Sequence, residues 1–276
     1  QGFHTTGTCG TVGAAMAVSA AMRFSKQMMK NALSAAVTSA SGVLEVIDDS
    51  SQIKPYNSGK AALNGLLSAF IGNAGLNGPE DVLGGKRGFL AVMGDPERPG
   101  IYEQTDMSSL AIEGIYLKPY AACRHCHPAI EAAICLRENH NLDYESVAAV
   151  RVITYDLAVF GHDHSDVRGI ASAKMSIPFG VALALKFGKA GMNEFSNQTI
   201  EDNELLQLSQ RVEVLPSEEL SNLVPDKRGA IVEVDMESGN TYSYRVDFPK
   251  GEPENPLTNA ELYQKFLDLA QFSGMS

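Results

Sequence analysis

Small and apolar residues crowd the opening third of the chain, and their spacing predicts helices. From Gly10 to Met22 only Thr11 and Ser19 interrupt a run of Gly, Ala, Val and Met. Residues 10–34 therefore read as helical, with side chains small enough for close helix packing. Gly7, Gly10 and Gly13 recur every third residue where this segment starts. A second helix is predicted from Ser58 to about Ile71, stopped by Asn73-Ala74-Gly75. Gly78-Pro79-Glu80-Asp81 reads as the start of a short helix closed by Gly84-Gly85.

The pattern changes after Ile115. Val147–Tyr155 is rich in β-branched residues and predicts a strand, as does Arg211–Leu215. Pro178–Phe187 predicts an apolar helix with proline in its first turn, where a missing N–H is harmless. Ala230–Met236 and Thr241–Val246 flank Glu237-Ser238-Gly239-Asn240 as a hairpin. Residues 249–256, with three prolines and a glycine, read as a linker. Thr258 then caps a last helix through Phe272. The fold class expected is α+β: a mostly helical region at 1–114, an α+β region at 115–251, and a helix at 252–276 returning to the helical part.

The formal net charge of −11 argues against a nucleic-acid partner held by a diffuse basic surface. Anion binding then requires a few cations focused in one place. No apolar run reaches the length of a membrane span, and four cysteines do not make a disulfide framework. A reducing cytoplasm is the expected compartment. The chain opens at Gln1 with no methionine and no signal-peptide pattern, as expected of a piece of a larger protein.

Two Lys-Pro dipeptides, Lys54-Pro55 and Lys118-Pro119, hold lysines out of helices, because proline biases the preceding residue toward extended backbone. Each stands shortly before a predicted helix start, at Ser58 and at Pro128. A cation beside unpaired helix N–H groups makes a carboxylate or phosphate pocket; the alternative is two surface lysines in loops. Cys123-Arg124-His125-Cys126-His127-Pro128 admits three readings. It matches the Cys-x-x-Cys-His haem attachment pattern. It could contribute to a zinc site, for which His162 and His164 are the nearby candidates. Otherwise Cys123 and Cys126 are small buried residues, and Arg124 or His127 contacts an anion. His4, among Thr5, Thr6 and Thr8, is either an acid–base residue or part of a structural cap, and His162 and His164 read as a solvated loop. No glycine pattern matches a nucleotide-binding loop.

Four segments in register resemble the MmgE/PrpD family: GFHTTGTCGTVGAA at 2–15, IKPYNSGKAALNGLLSAF at 53–70, YLKPYAACRHCHPAIEAA at 116–133 and SIPFGVALAL at 176–185. The family includes 2-methylcitrate dehydratases, cis-aconitate decarboxylases and iminodisuccinate epimerases. The resemblance implies a helical large domain interrupted by a smaller α+β lid, an active site in the cleft between them, a homodimer, and no metal or organic cofactor. It places the active-site histidine on His4, substrate-contacting lysines on Lys54 and Lys118, and a further pocket histidine on His127. Thr5, Asn57 and Arg124 complete the expected substrate-binding set. Three departures stand out. The family's first third, which adds acidic, threonine and histidine residues to the pocket, is not represented. Asn57 stands where many members have histidine. The decarboxylase branch's lid tyrosine aligns near Val159 and Phe160, with Tyr155 close by.

The function expected is a lyase acting on a di- or tricarboxylic acid by proton abstraction beside a carboxylate, in the manner of 2-methylcitrate dehydratase. The lysines would draw off developing charge while His4 moves the proton. Alternatives are an epimerase or decarboxylase of the same family, or a non-catalytic polycarboxylate-binding remnant.

Overall fold

A computed structural model of the chain describes residues 2–47, 53–94 and 110–275. They form two compact units, residues 1–107 and 108–276.

The first unit is helical. The predicted helix over 10–34 is two helices, α1 (Thr5–Ala21) and α2 (Lys26–Ser39). The break arises because Arg23 takes a left-handed backbone (φ 55°) and the Ser25 hydroxyl accepts from Met28 N at 3.3 Å, capping a new helix. α3 (Tyr56–Asn73) starts two residues before the predicted position and packs on α1 and α2. Its seam with α1 is built from small residues: a Cβ on Gly65 would lie 2.4 Å from Ala14 Cβ. The buried hydroxyls of Thr11 and Ser19 donate to Gly7 O and Ala15 O, each at 2.7 Å, so that face buries without unmet polar atoms. The short helix expected after Gly78 is a series of turns instead. Asp81 Oδ1 accepts from Gly84 N at 2.7 Å, a side-chain turn that competes with helix. The one-turn helix α4 (Phe89–Met93) follows.

The second unit is α+β. α5 (His127–His140) opens with Pro128 in its first turn, as the sequence predicts. β1 (Val147–Thr154) is followed by four helices: α6 (Asp156–Val159), α7 (Ile170–Ala173), α8 (Ile177–Phe187) and α9 (Asn197–Ile200). Next come α10 (Asn203–Gln210), β2 (Val212–Pro216) and α11 (Glu218–Asn222). The hairpin β3 (Ala230–Met236) and β4 (Thr241–Val246) precedes α12 (Asn259–Phe272). The sheet runs β2-β1-β3-β4, with β1 and β2 parallel and the other pairs antiparallel. Ile177–Leu185 of α8 is buried all round, packing on α5, α10 and β2, while α5 also lies on β3 and β4. Val150, Val152, Val232 and Val234 fill the inner face of the sheet. On its other face Arg151 holds Glu233 at 2.9 Å and Asp235 at 2.6 Å.

The stretch expected to be a linker is a bonded turn. Gly251 N donates to Asn255 O and Leu117 N to Gly251 O, both at 2.8 Å, and Lys250 N donates to the Glu131 carboxylate. Gly251 is required here: its φ is +93° and any Cβ would collide with Leu117 O. Thr258 caps α12, as its sequence predicts, and Glu261 completes a capping box. Its described polar contacts run to the second unit: Glu261 pairs with Lys250 at 3.1 Å and Lys265 donates to Lys118 O.

Candidate active site

In the first unit the candidate chemistry gathers where α1 begins. His4 is the N-cap residue of α1, and its backbone N–H donates to Gly42 O at 3.1 Å. This close approach depends on Gly7, where a Cβ would sit 2.4 Å from Ser41 O. The half-buried imidazole has Nδ1 2.8 Å from Nδ2 of Asn57, which is itself 5% exposed in the first turn of α3. An amide nitrogen only donates, so Nδ1 accepts and Nε2 carries the ring proton. Burial, then the ammonium groups of Lys54 and Lys60, hold the His4 pKa below its ordinary value of 6.5. His4 is therefore a neutral ring at neutral pH, with an N–H to offer and two cations beside it. Lys60, which sequence reasoning passed over, is fixed by bonds to Ser41 O (2.6 Å) and Ser41 Oγ (3.0 Å). Lys54 is half-buried in the turn before α3, and Thr5 is exposed at the first position of α1.

In the second unit Lys118 lines a cavity of about 610 Å³ with Tyr120, Ala122, Lys189, Lys250 and Lys265. Lys189 and Lys250 are paired with Glu194 and Glu261, each at 3.1 Å. Lys118 and Lys265 make no carboxylate pair among the described residues. Lys118 Nζ donates to Ala122 O at 3.5 Å, and Lys265 Nζ to Lys118 O. Partial burial, then the nearby Lys118, holds the Lys265 pKa down. Two crowded cations favour an anion, which would share the cavity with Glu194, Glu261 and Asp268. Tyr120 adds a phenol that burial keeps protonated, hence a donor. Lys265 was missed in the sequence, although there was a signal. It lies on the side of α12 that carries Leu262, Phe266 and Leu269, a charge set into an apolar row.

Arg124 and His127 both have partners inside the second unit, while Arg124 Nη1 is buried with no hydrogen-bond partner among the described residues. Arg124 is 6% exposed, its guanidinium pairs with Glu252 (Nε to Oε1, 2.6 Å), and its charge lies 5.4 Å from the centre of the Tyr116 ring. His127 is 1% exposed, packs edge-on against Tyr120, and has Nε2 3.3 Å from Ala122 O. Burial above all pushes its pKa to about 3, so it is a neutral donor to that carbonyl. His4, Lys54 and Asn57 thus come together in the first unit. In the second, Lys118 meets Lys265, Arg124 pairs with Glu252 and His127 bonds Ala122 O.

The loop expected to be solvated is folded. His162 is 3% exposed, with Nε2 3.2 Å from Cys123 Sγ, and His164 Nε2 lies 3.1 Å from Ser172 Oγ. Tyr155 is buried with its hydroxyl 2.6 Å from His125 Nδ1. Among the described residues no three His, Cys, Asp or Glu side chains are placed to hold a metal, and no helix is long and apolar enough to cross a membrane.

The family models described as the MmgE/PrpD N-terminal domain and the MmgE/PrpD C-terminal domain match residues 1–101 and 120–275. The chain is similar to a cis-aconitate decarboxylase of Aspergillus terreus, 24% identical over 287 residues that cover 98% of this chain and 58% of that protein. It is likewise similar to the cis-aconitate decarboxylase of Mus musculus, at 23% identity over 96% of this chain and 54% of the relative. For that of Homo sapiens the values are 24%, 96% and 55%. The chain spans little more than half the length of the curated relatives it matches.

Proposed function

This chain belongs to the MmgE/PrpD family, and from that premise we propose that it is a lyase acting on a di- or tricarboxylic acid. The proposed chemistry is proton transfer beside a carboxylate, with a 2-methylcitrate dehydratase-like elimination as the first reading. The observation that carries it is His4, an imidazole kept uncharged by burial and flanked by two ammonium groups. Such a ring exchanges protons near neutrality while the cations lower the energy of a developing enolate. Asn57 suits both halves of that cycle. With Nδ2 on Nδ1 the ring presents its Nε2 proton. With the amide turned by half a rotation, Oδ1 accepts from Nδ1–H and Nε2 becomes the base. The second unit offers a carboxylate pocket of its own at Lys118 and Lys265. Decarboxylation of a cis-aconitate-like acid is the second reading, favoured by the names of the similar proteins.

The test uses the intact protein with 2-methylcitrate, citrate and cis-aconitate, following alkene absorbance and carbon dioxide release. His4→Ala is expected to lower turnover by about 10²–10⁴-fold, the usual share of acid–base catalysis. Lys265→Gln is expected to weaken tricarboxylate binding about tenfold by calorimetry, as loss of one charged hydrogen bond does. Near-wild-type turnover for His4→Ala would refute its role. Alkene without carbon dioxide supports elimination, and carbon dioxide release supports the second reading.

A further inference from the structure

The Cys-Arg-His-Cys-His segment supplies groups that the lyase chemistry leaves unused. Cys123 stands just before the single 3-10 turn Arg124–Cys126 that leads into α5. Its thiol is half-buried, and its backbone N–H donates to Lys174 O at 2.7 Å. His162 comes from the loop after α6, held by its own N–H on Val159 O (3.1 Å) and by Ile177 N on its carbonyl (2.8 Å). Its Nδ1 is 2.8 Å from Phe160 O and its Nε2 3.2 Å from Cys123 Sγ. A carbonyl oxygen only accepts, so Nδ1 carries the proton and Nε2 turns its lone pair to the thiol. This is a nucleophile, a base in the right tautomer, and a group that orients the base.

Two further rings stand beside the pair. The His125 ring is 5.1 Å from that of His162 and bonds the Tyr155 hydroxyl. The remaining cysteines differ in setting: Cys9 is exposed on α1, Cys126 is fully buried, and burial pushes the Cys135 thiol up.

We propose that Cys123 is a reactive thiol, activated by His162, that captures alkenes conjugated to a carbonyl or carboxyl group. The thiol proton passes to His162 Nε2, and sulfur attacks the β-carbon to form the C–S bond. The π pair moves to the α-carbon, which takes the proton back from Nε2. Nothing else is consumed. The site requires neither His4 nor the lysine cavity, so it stands apart from the lyase reading.

The probe is limiting N-ethylmaleimide on the full chain between pH 6 and 9, with labelling of each cysteine peptide timed by mass spectrometry. A free thiol is only a few per cent thiolate at pH 7, and nucleophilicity falls as pKa falls. Cys123 is therefore expected to react about tenfold faster than Cys9 at pH 7, with a flatter pH profile. Accessibility works the other way, since Cys9 is the more exposed. His162→Asn keeps a donor for Phe160 O and removes the base, and it should slow Cys123 about tenfold while leaving Cys9 unchanged. A wild-type Cys123 rate at or below that of Cys9 overturns the proposal. That comparison is made within one folded chain and decides the matter even if the variant misfolds. An unchanged Cys123 rate in folded His162→Asn overturns the role of His162.

Discussion

Replacing His127 with glutamine should flatten the acid limb of this protein's stability curve. The imidazole is 1% exposed, and burial, with smaller pushes from Arg124, Lys118 and Lys265, lowers its pKa from 6.5 to about 3. The hydrogen bond to Ala122 O opposes that shift only in part. Between those two values the unfolded chain binds a proton that the folded chain refuses, so stability rises with pH. The contribution is complete above pH 6.5 and is lost progressively as pH falls toward 3. At about 1.4 kcal/mol per unit, the whole gap is worth about 5 kcal/mol, of which about 3 kcal/mol is lost by pH 4. That is a large share of a typical domain's stability. Glutamine does not titrate, and its amide can still donate to Ala122 O. Urea unfolding of both proteins at pH 7, 6, 5 and 4, followed by circular dichroism, measures the difference. Carboxylates that titrate in both chains, such as Glu131 with its raised pKa, cancel in that comparison. The variant should gain on the wild type by about 3 kcal/mol between pH 6.5 and 4. A difference constant within about 0.5 kcal/mol would refute the reasoning, because this ring could not then be the group that burial holds neutral.

Two further outcomes follow from the same geometry. Asn57→Asp places a carboxylate on His4 Nδ1, fixes the proton there, and should raise the His4 pKa by about 1–3 units in an NMR titration; an unmoved pKa would break the assigned bond. Glu252→Ala strands the Arg124 guanidinium, whose side chain is only 7% exposed, and should cost about 3–5 kcal/mol in urea unfolding. A cost below about 1 kcal/mol would show that the pair is solvated.

Much of the fold was legible because its signals are local. Pro128 and Pro178 mark helix starts, Gly239 turns the hairpin, and Thr258 caps α12, each through chemistry within a few residues. The break at Arg23–Ser25 was missed because the small-residue pattern runs through it and only one capping serine marks it. The turn at 249–256 was missed because Pro-rich composition looks like a linker until Glu131 and Leu117, distant in sequence, bond to it.

The sequence by itself determined which residues could carry chemistry: the histidine before α1, the two Lys-Pro lysines, and the dense Cys-Arg-His-Cys-His run. Tertiary structure alone decided what each of them meets. Glu252 pairs with Arg124 and burial keeps His127 uncharged, whereas Asn57 fixes the ring of His4. Lys265 joins Lys118 across 147 residues, and His162 reaches Cys123 across 39. Charge and protonation state depend on what lies within a few ångströms, and chain separation does not encode that distance.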